Sequence, residues 1–306
     1  MLQGIDGVAE EGTAEDQPTW SAPAHVAGET EHEPQAVNAT RAVPEVARSG
    51  RGTGVQPAEV SAPPQVSVVI PALNEAKNLP YVFAQLPQDV YEVILVDGHS
   101  TDDTVAVARA LYPEVRVVHQ TRRGKGNALR CGFTACRGDI IVMLDADGST
   151  SCAEIPRFVA ALRDGADFAK GSRFLRGGGS VDITPFRRLG NWGLTGLVNM
   201  LFGTRYTDLC YGYNAFWRRC LADVRLDCDG FEVETLINIR IAQARLRIRE
   251  VPSMEGQRIH GVSNLHAWRD GRRILKTILS ERFAWRMAPL PQPEVDPEPA
   301  PEGVVA

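Results

Sequence analysis

Asp145 and Asp147 end the apolar run Ile140-Ile141-Val142-Met143-Leu144, spaced i and i+2. Side chains alternate faces along a strand. Where the strand ends and turns, two carboxylates at this spacing can converge on one hard divalent cation, which takes oxygen ligands and commonly shares them with substrate phosphates. An acidic turn with solvated carboxylates is the plainer account of the pair taken alone. Three other segments carry complementary chemistry. In Pro71-Ala72-Leu73-Asn74-Glu75 and Asp97-Gly98-His99-Ser100-Thr101-Asp102, the carboxylates Glu75 and Asp97 offer acceptors to a base or a ribose hydroxyl. Gly124-Lys125-Gly126, opening a helix, offers close backbone approach and a cation to a phosphate. Read singly, Asn74-Glu75 is equally a helix start, Asp97 equally a group that satisfies loop amides, and Gly-Lys-Gly a common turn. Neither G-x-x-x-x-G-K-[ST] nor G-x-G-x-x-G is present.

Such groups meet only if a scaffold aligns the strands that carry them. Val66 to Pro71, Val93 to Asp97, Val115 to Val118 and Asp139 to Leu144 read as strands, alternating with helices over Glu75 to Leu86, Thr101 to Leu111 (capped by Ser100) and Asn127 to Cys136. This alternation predicts an α/β fold with parallel strands and right-handed crossovers, doubly wound or close to it, and all four segments at the carboxyl edge of the sheet, where ligands bind. After Ala169 the pattern changes. A Gly-rich loop, Arg176 to Ser180, leads to an apolar helix from about Phe186 to Phe202, a loop over Asp208 to Tyr213, a helix near Glu232 to Ala244 and a strand from Arg247 to Val251. In the last segment, Leu265 to Met287, bulky apolar residues alternate with Arg269, Arg272, Arg273, Lys276, Arg282 and Arg286, as in a basic amphipathic helix.

Composition divides the chain into residues 1–65, 66–288 and 289–306. The first stretch is rich in Glu, Ala, Gly, Pro and Thr without lasting periodicity, and the last is acidic and Pro-rich, so both are expected to be disordered tails. They carry −7 and −4 of the formal net charge of −5, leaving about +6 on 66–288. That sign suits an anionic substrate or membrane surface. The six cysteines show no CxxC and no zinc spacing and read as reduced and mostly buried, which with the absence of a leader-like or membrane-spanning run predicts a cytoplasmic chain.

With Val69-Ile70-Pro71-Ala72-Leu73-Asn74-Glu75, Asp97-Gly98-His99-Ser100-Thr101-Asp102, Gly124-Lys125-Gly126-Asn127, Asp145-Ala146-Asp147, Gly171-Ser172-Arg173, Asp208 to Tyr213, Gly230 to Glu234 and Arg258 to Ser263 in this order, the stretch from Val66 to Leu279 resembles family-2 glycosyltransferases, in particular the dolichol- and polyprenyl-phosphate mannosyl- and glucosyltransferases. The resemblance implies a GT-A (Rossmann-like) open, mostly parallel sheet with helices on both faces and a C-terminal amphipathic helix. It implies a nucleotide-sugar donor, GDP-mannose or UDP-glucose, held by Pro71, Asn74, Glu75, Asp97, Lys125, Gly126, Asp145 and Ala146. It further implies a divalent cation, Mg or Mn, on Asp145, Asp147 and Ser149, and phosphate or acceptor contacts from Arg173, Arg187, Arg188, Arg258 and Ser263. Arg173, Arg258, Asp208 and Glu232 are the candidates for catalysis, with Glu232 favoured over Glu234 as the helix residue that faces the site. Two departures stand out: Gly98 replaces the second Asp of the family's Asp-Asp, and no transmembrane helices follow.

The expected reaction is inverting hexosyl transfer, most simply to a polyprenyl (dolichyl-type) phosphate, an anion that needs no base. A small-molecule hydroxyl acceptor would need one, for which Asp208 or Glu232 stands. A nucleotide-sugar binding module without turnover is the reading from another class. A peripheral contact with the inner face of a membrane is expected of the apolar Leu189 to Phe202 helix and the basic final helix, with mutual packing of these two faces as the alternative. No nucleic-acid partner is expected.

Overall fold

β1 (Val66–Ala72) and β2 (Glu92–Asp97) are buried almost throughout, as Val/Ile/Leu runs must be when both faces of a sheet are covered. The structure, a computed structural model, describes residues 62–262 and 266–287, so the expected tails lie outside the described residues except for 62–65. β3 (Arg116–His119), β4 (Ile140–Met143), β5 (Phe168–Ser172), β7 (Asn214–Trp217) and β8 (Ile248–Pro252) complete a seven-stranded sheet in the order β3-β2-β1-β4-β7-β5-β8. β6 (Gly179–Ser180) and β9 (Met254–Glu255) pair separately. All neighbours in the main sheet are parallel except β7, which runs antiparallel to both β4 and β5. The result is an open, mostly parallel α/β sheet, as the alternation predicts.

Helices cover both faces. α1 (Leu79–Phe83), α2 (Thr104–Leu111) and α4 (Ile155–Arg163) bury Leu79, Val82, Ala108, Ile155 and Phe158 against Val68, Ile70, Val93 and Leu95. α3 (Lys125–Ala135) and α6 (Val233–Gln243) bury Leu129, Phe133, Val233 and Ile237 against Val69, Val96 and Ile141. α3 lies so close to the sheet that a Cβ on Gly132 would come within 2.4 Å of the Val69 side chain. α5 (Pro185–Phe202) and α7 (Ala267–Met287) pack with α6 in a third cluster through Val198, Leu209, Ile239, Ile274 and Ile278.

Some elements differ from the sequence-based expectation. Regular helix in the first crossover spans Leu79–Phe83 rather than starting at Glu75, because Pro80 lacks an N–H and tolerates only the first helical turn. The next helix starts at Thr104, not Thr101. Ser100 does not cap it; its hydroxyl accepts a hydrogen bond from Asn74 N at 3.0 Å. α4, β5 and β7 had no counterpart in the periodicity. The six cysteines are free.

At the far end of the sheet Asp167 accepts hydrogen bonds from Arg247 and Arg219, and the Arg247 contact leads in holding its carboxyl down at about 2. A carboxylate depressed in the folded state contributes stability above its unfolded pKa near 3.8, and that contribution is lost as pH falls toward 2. Urea midpoints at pH 6 and pH 3 should therefore converge between wild type and Asp167→Asn as pH drops; a gap that is constant with pH contradicts the linkage.

Candidate active site

A cavity of about 470 Å³ opens over the carboxyl ends of β1, β2 and β4, and all four segments singled out in the sequence contribute to its wall: Pro71 and Glu75, Gly98, Gly124 and Lys125, and Asp145 to Asp147. Lys125 is part of that wall and the hub of its charge network. Its Nζ is 2.6 Å from Asp145 Oδ1 and 2.6 Å from Glu234 Oε1. Burial alone would lower its pKa, but the two carboxylates outweigh burial and raise it. Burial raises Glu234 in spite of Lys125. Lys125 is thus a cationic bridge between the β4 loop and α6.

Asp147 Oδ1 accepts from the Ser149 backbone N–H at 3.0 Å and from its hydroxyl at 2.7 Å, so Ser149 orients the carboxylate. Arg258 binds Glu75 with both terminal nitrogens, at 2.9 and 3.1 Å, and its Nε lies 3.6 Å from Asp147 Oδ2. Among the described residues that buried Nε has no hydrogen-bond partner. Deeper in the wall, Arg173 pairs in fork geometry with Asp208, Nε to Oδ2 at 2.7 Å and Nη2 to Oδ1 at 2.9 Å, and its Nη1 reaches Glu255 Oε2 at 3.0 Å. Burial would raise Asp208, yet Arg173 overcomes it and holds the carboxyl below its ordinary value.

The acidic pair fits a hard cation in its chemistry. Among the described residues no group of three or more His, Cys, Asp or Glu side chains is gathered for a metal. An ion of the Mg²⁺ type needs only one or two carboxylates when water or phosphate oxygens complete its shell. Asp145 and Asp147 line the cavity and are partly exposed to it, Asp147 with the Arg258 Nε 3.6 Å from its Oδ2.

The structure brings together Pro71, Glu75, Lys125, Asp145, Ala146, Asp147, Ser149, Arg173, Arg187 and Arg258 around this cavity. Others lie elsewhere. Asn74 faces away and ties two loops together, its Oδ1 accepting from Thr101 N at 2.8 Å. Asp97 is buried behind Gly98, with its oxygens accepting from the His99 and Ser100 amides and lying 3.2 Å from His119 Nδ1. Gly126 is covered by residues 228–230, so its N–H donates to Asp229 O at 2.9 Å rather than standing open for a phosphate. Glu232 precedes α6 and folds back to the Gly230 amide; Glu234, two residues later, lines the cavity in its place. Asp208 is fully buried beneath Arg173, with both oxygens engaged by its guanidinium, and does not line the cavity. Arg187 pairs with Asp182 at 3.0 Å, whereas Arg188 lies outside the wall with its guanidinium 5.3 Å from the Phe174 ring centroid. Ser263 is outside the described residues.

Sequence reasoning missed Gln120, Glu255 and the buried Lys170, whose ammonium donates to Gly171 O and Tyr211 O, each at 2.9 Å. None sits in a run with a chemical signature. Only the spacing of Glu234 on its helix was available beforehand.

Comparison with known proteins agrees with this geometry. Residues 67–225 match Glycosyl transferase family 2. The chain is 33% identical over 212 residues to a dolichol-phosphate mannosyltransferase of Pyrococcus furiosus, covering 66% of this chain and 59% of that protein. It is also 33% identical over 213 residues to an undecaprenyl-phosphate mannosyltransferase of Micrococcus luteus, covering 66% and 87%. Among solved structures, glucosyl-3-phosphoglycerate synthase from Mycobacterium tuberculosis, in complex with Mn²⁺, UDP-glucose and glycerol 3-phosphate, superimposes with a TM-score of 0.57 at 26% identity, covering 72% of this chain and 80% of that one. A GT-A sheet, an acidic strand-end pair facing a cavity and these matches lead to one assignment: the chain belongs to glycosyl transferase family 2.

Proposed function

We propose that this chain transfers a hexose, with inversion, from a nucleoside diphosphate sugar (GDP-mannose or UDP-glucose) to a polyprenyl phosphate. The observation that carries the reading is Asp145 and Asp147 at the cavity wall, flanked by Lys125, Arg258, Arg173 and Arg187. Asp145 and Asp147 would hold a divalent cation, which when bound supplies positive charge to the diphosphate. The chain's own part is electrostatic. Lys125 keeps Asp145 oriented, Ser149 keeps Asp147 oriented, and Arg258 and Arg187 offer guanidinium groups to phosphate oxygens in place of Glu75 and Asp182. Charge that grows on the leaving diphosphate is then met by groups fixed before the reaction, so binding strengthens toward the transition state. An anionic phosphate acceptor needs no base, which accords with the sequestration of Asp208.

A second reading, transfer to a small phosphorylated hydroxyl acceptor, draws on the solved relatives of that specificity. Incubating the protein and Mn²⁺ with radiolabelled donors and either undecaprenyl phosphate or 3-phosphoglycerate separates the two. Label should partition into the organic phase. Label that appears only in water-soluble product replaces the first reading by the second.

Membrane contact belongs to the same proposal. α5 turns Val198 inward but leaves Phe186, Leu189, Trp192 and Met200 exposed, Trp192 by 73%. No helix among the described residues is long and apolar enough to cross a membrane, so contact with a lipid acceptor would be made from the surface. Flotation with anionic liposomes at low salt should carry the protein upward, and Leu189→Glu/Trp192→Glu should reduce the floated fraction several-fold. Wild-type protein that stays at the bottom removes the membrane contact.

A further inference from the structure

Gln120 follows β3 in a turn that is held rigidly. The fully buried Asn127 accepts with its Oδ1 from the amides of Thr121 at 3.0 Å and Arg122 at 2.8 Å, and its Nδ2 donates to Thr121 Oγ1 at 3.2 Å. Gln120 itself is only 6% exposed and lines the cavity. Strand alternation gives it the same face as Val118, which packs in the α3-side core; Pro71 and Gly98 share that face as successors of Val69 and Val96. The four wall residues Pro71, Gly98, Gln120 and Ala128 thus form one end of the cavity, remote along the sheet from Arg173. Among the described residues the side-chain amide of Gln120 has no hydrogen-bond partner, and in a residue otherwise removed from solvent it is left facing the cavity.

The carboxylates around it are committed. Asp97 serves its own loop and His119, Glu75 serves Arg258 and Asn78, and Asp145 and Glu234 serve Lys125. Among the described residues, the uncommitted polar side chain that remains at this end is therefore a neutral donor and acceptor set side by side. At Gly98 the chain passes close against β1, since a Cβ there would come within 3.1 Å of Ala72 O and 3.2 Å of Leu73 Cβ.

We propose that Gln120 is the residue that reads the donor's base, and that its single amide selects uracil over guanine. The assignment rests on the donor reading above. The amide oxygen accepts from uracil N3–H while the amide nitrogen donates to an adjacent carbonyl oxygen. Guanine presents O6, N1–H and a 2-amino group in a row, so one amide leaves a donor unmatched, and an unmatched buried donor lowers affinity.

Isothermal titration of the full chain with UDP, GDP and pyrophosphate in the presence of Mg²⁺ tests this, using wild type, Gln120→Ala and the near-isosteric Gln120→Glu. Wild type should bind UDP at least about tenfold more tightly than GDP. Gln120→Ala should lose roughly thirtyfold in UDP affinity, the worth of two neutral hydrogen bonds, while pyrophosphate affinity stays constant. Gln120→Glu, which accepts but does not donate, should move preference toward GDP, since a carboxylate matches N1–H and the 2-amino group together. A UDP-to-GDP ratio left unchanged by both substitutions, or a wild type that prefers GDP, overturns the assignment while the sugar-transfer reading stands. Failure of both nucleotides and of pyrophosphate to bind overturns that reading and the assignment with it.

Discussion

Asp208→Ala should lower the stability of the folded chain by about 3–5 kcal/mol, because it strips the principal partner from a guanidinium that is almost wholly removed from water. Arg173 would retain Glu255 alone, one carboxylate at the edge of the cavity, with Nε and Nη2 left without acceptors. Urea unfolding at pH 7 reads the loss. The double change Arg173→Met/Asp208→Leu should cost less than the two single changes added together, since neither charge is then orphaned, although transfer should still fail without Arg173. A double cost equal to the sum of the two single costs would mean that the pair contributes packing rather than charge. Asp208 also carries a pH signature. Its carboxyl titrates below the ordinary range when folded, so its contribution is present above the unfolded value of about 3.8 and declines in more acidic solution. No limb of an activity profile near neutrality should trace to it.

The second large effect is on turnover. Asp145→Asn and Asp147→Asn should each reduce transfer by about 10²–10³-fold or more, the scale of losing a preorganised charge contact at a developing anion. Melting temperatures should change little, because both side chains are partly exposed and the Lys125 bridge keeps its Glu234 half when Asp145 is altered. Activity titrated against Mn²⁺ should show a higher requirement in both variants. Wild-type turnover in chelator, or full activity in either variant without added metal, would falsify the role given to the pair.

The parts of the site that could be read from sequence are those in which chemistry and scaffold are neighbours in the chain. Asp145 and Asp147 follow directly on β4, Glu75 follows β1, and Lys125 opens α3, so the strand-helix alternation alone carried them to one edge. The parts that could not be read are long-range. Arg173 meets Asp208 and Glu255 across 35 and 82 residues, and no local period announces such a triad. Glu232 and Glu234 differ by two positions, yet a break between loop and helix at Val233 reverses which of them faces the cavity. Pro80 argued against a helix beginning at Glu75, a local signal that outweighs the apolar spacing of Leu79, Val82, Phe83 and Leu86. β7 is four residues long and inverted in direction, and a strand's direction leaves no trace in its composition.

That inverted strand has an engineering corollary. β7 is zipped to a partner along each side, Met143 against Asn214 toward β4 and Lys170 against Asn214 toward β5, so its upper end is anchored twice at one residue. The segment feeding into it from Asp208 to Tyr213 hangs from a fixed post. Because Asp208, Leu209, Tyr211 and Tyr213 are themselves buried, lengthening that segment should unfold the site rather than retune it, so a swapped specificity cassette belongs in the crevice's more exposed loops and not in the lead-in to this strand.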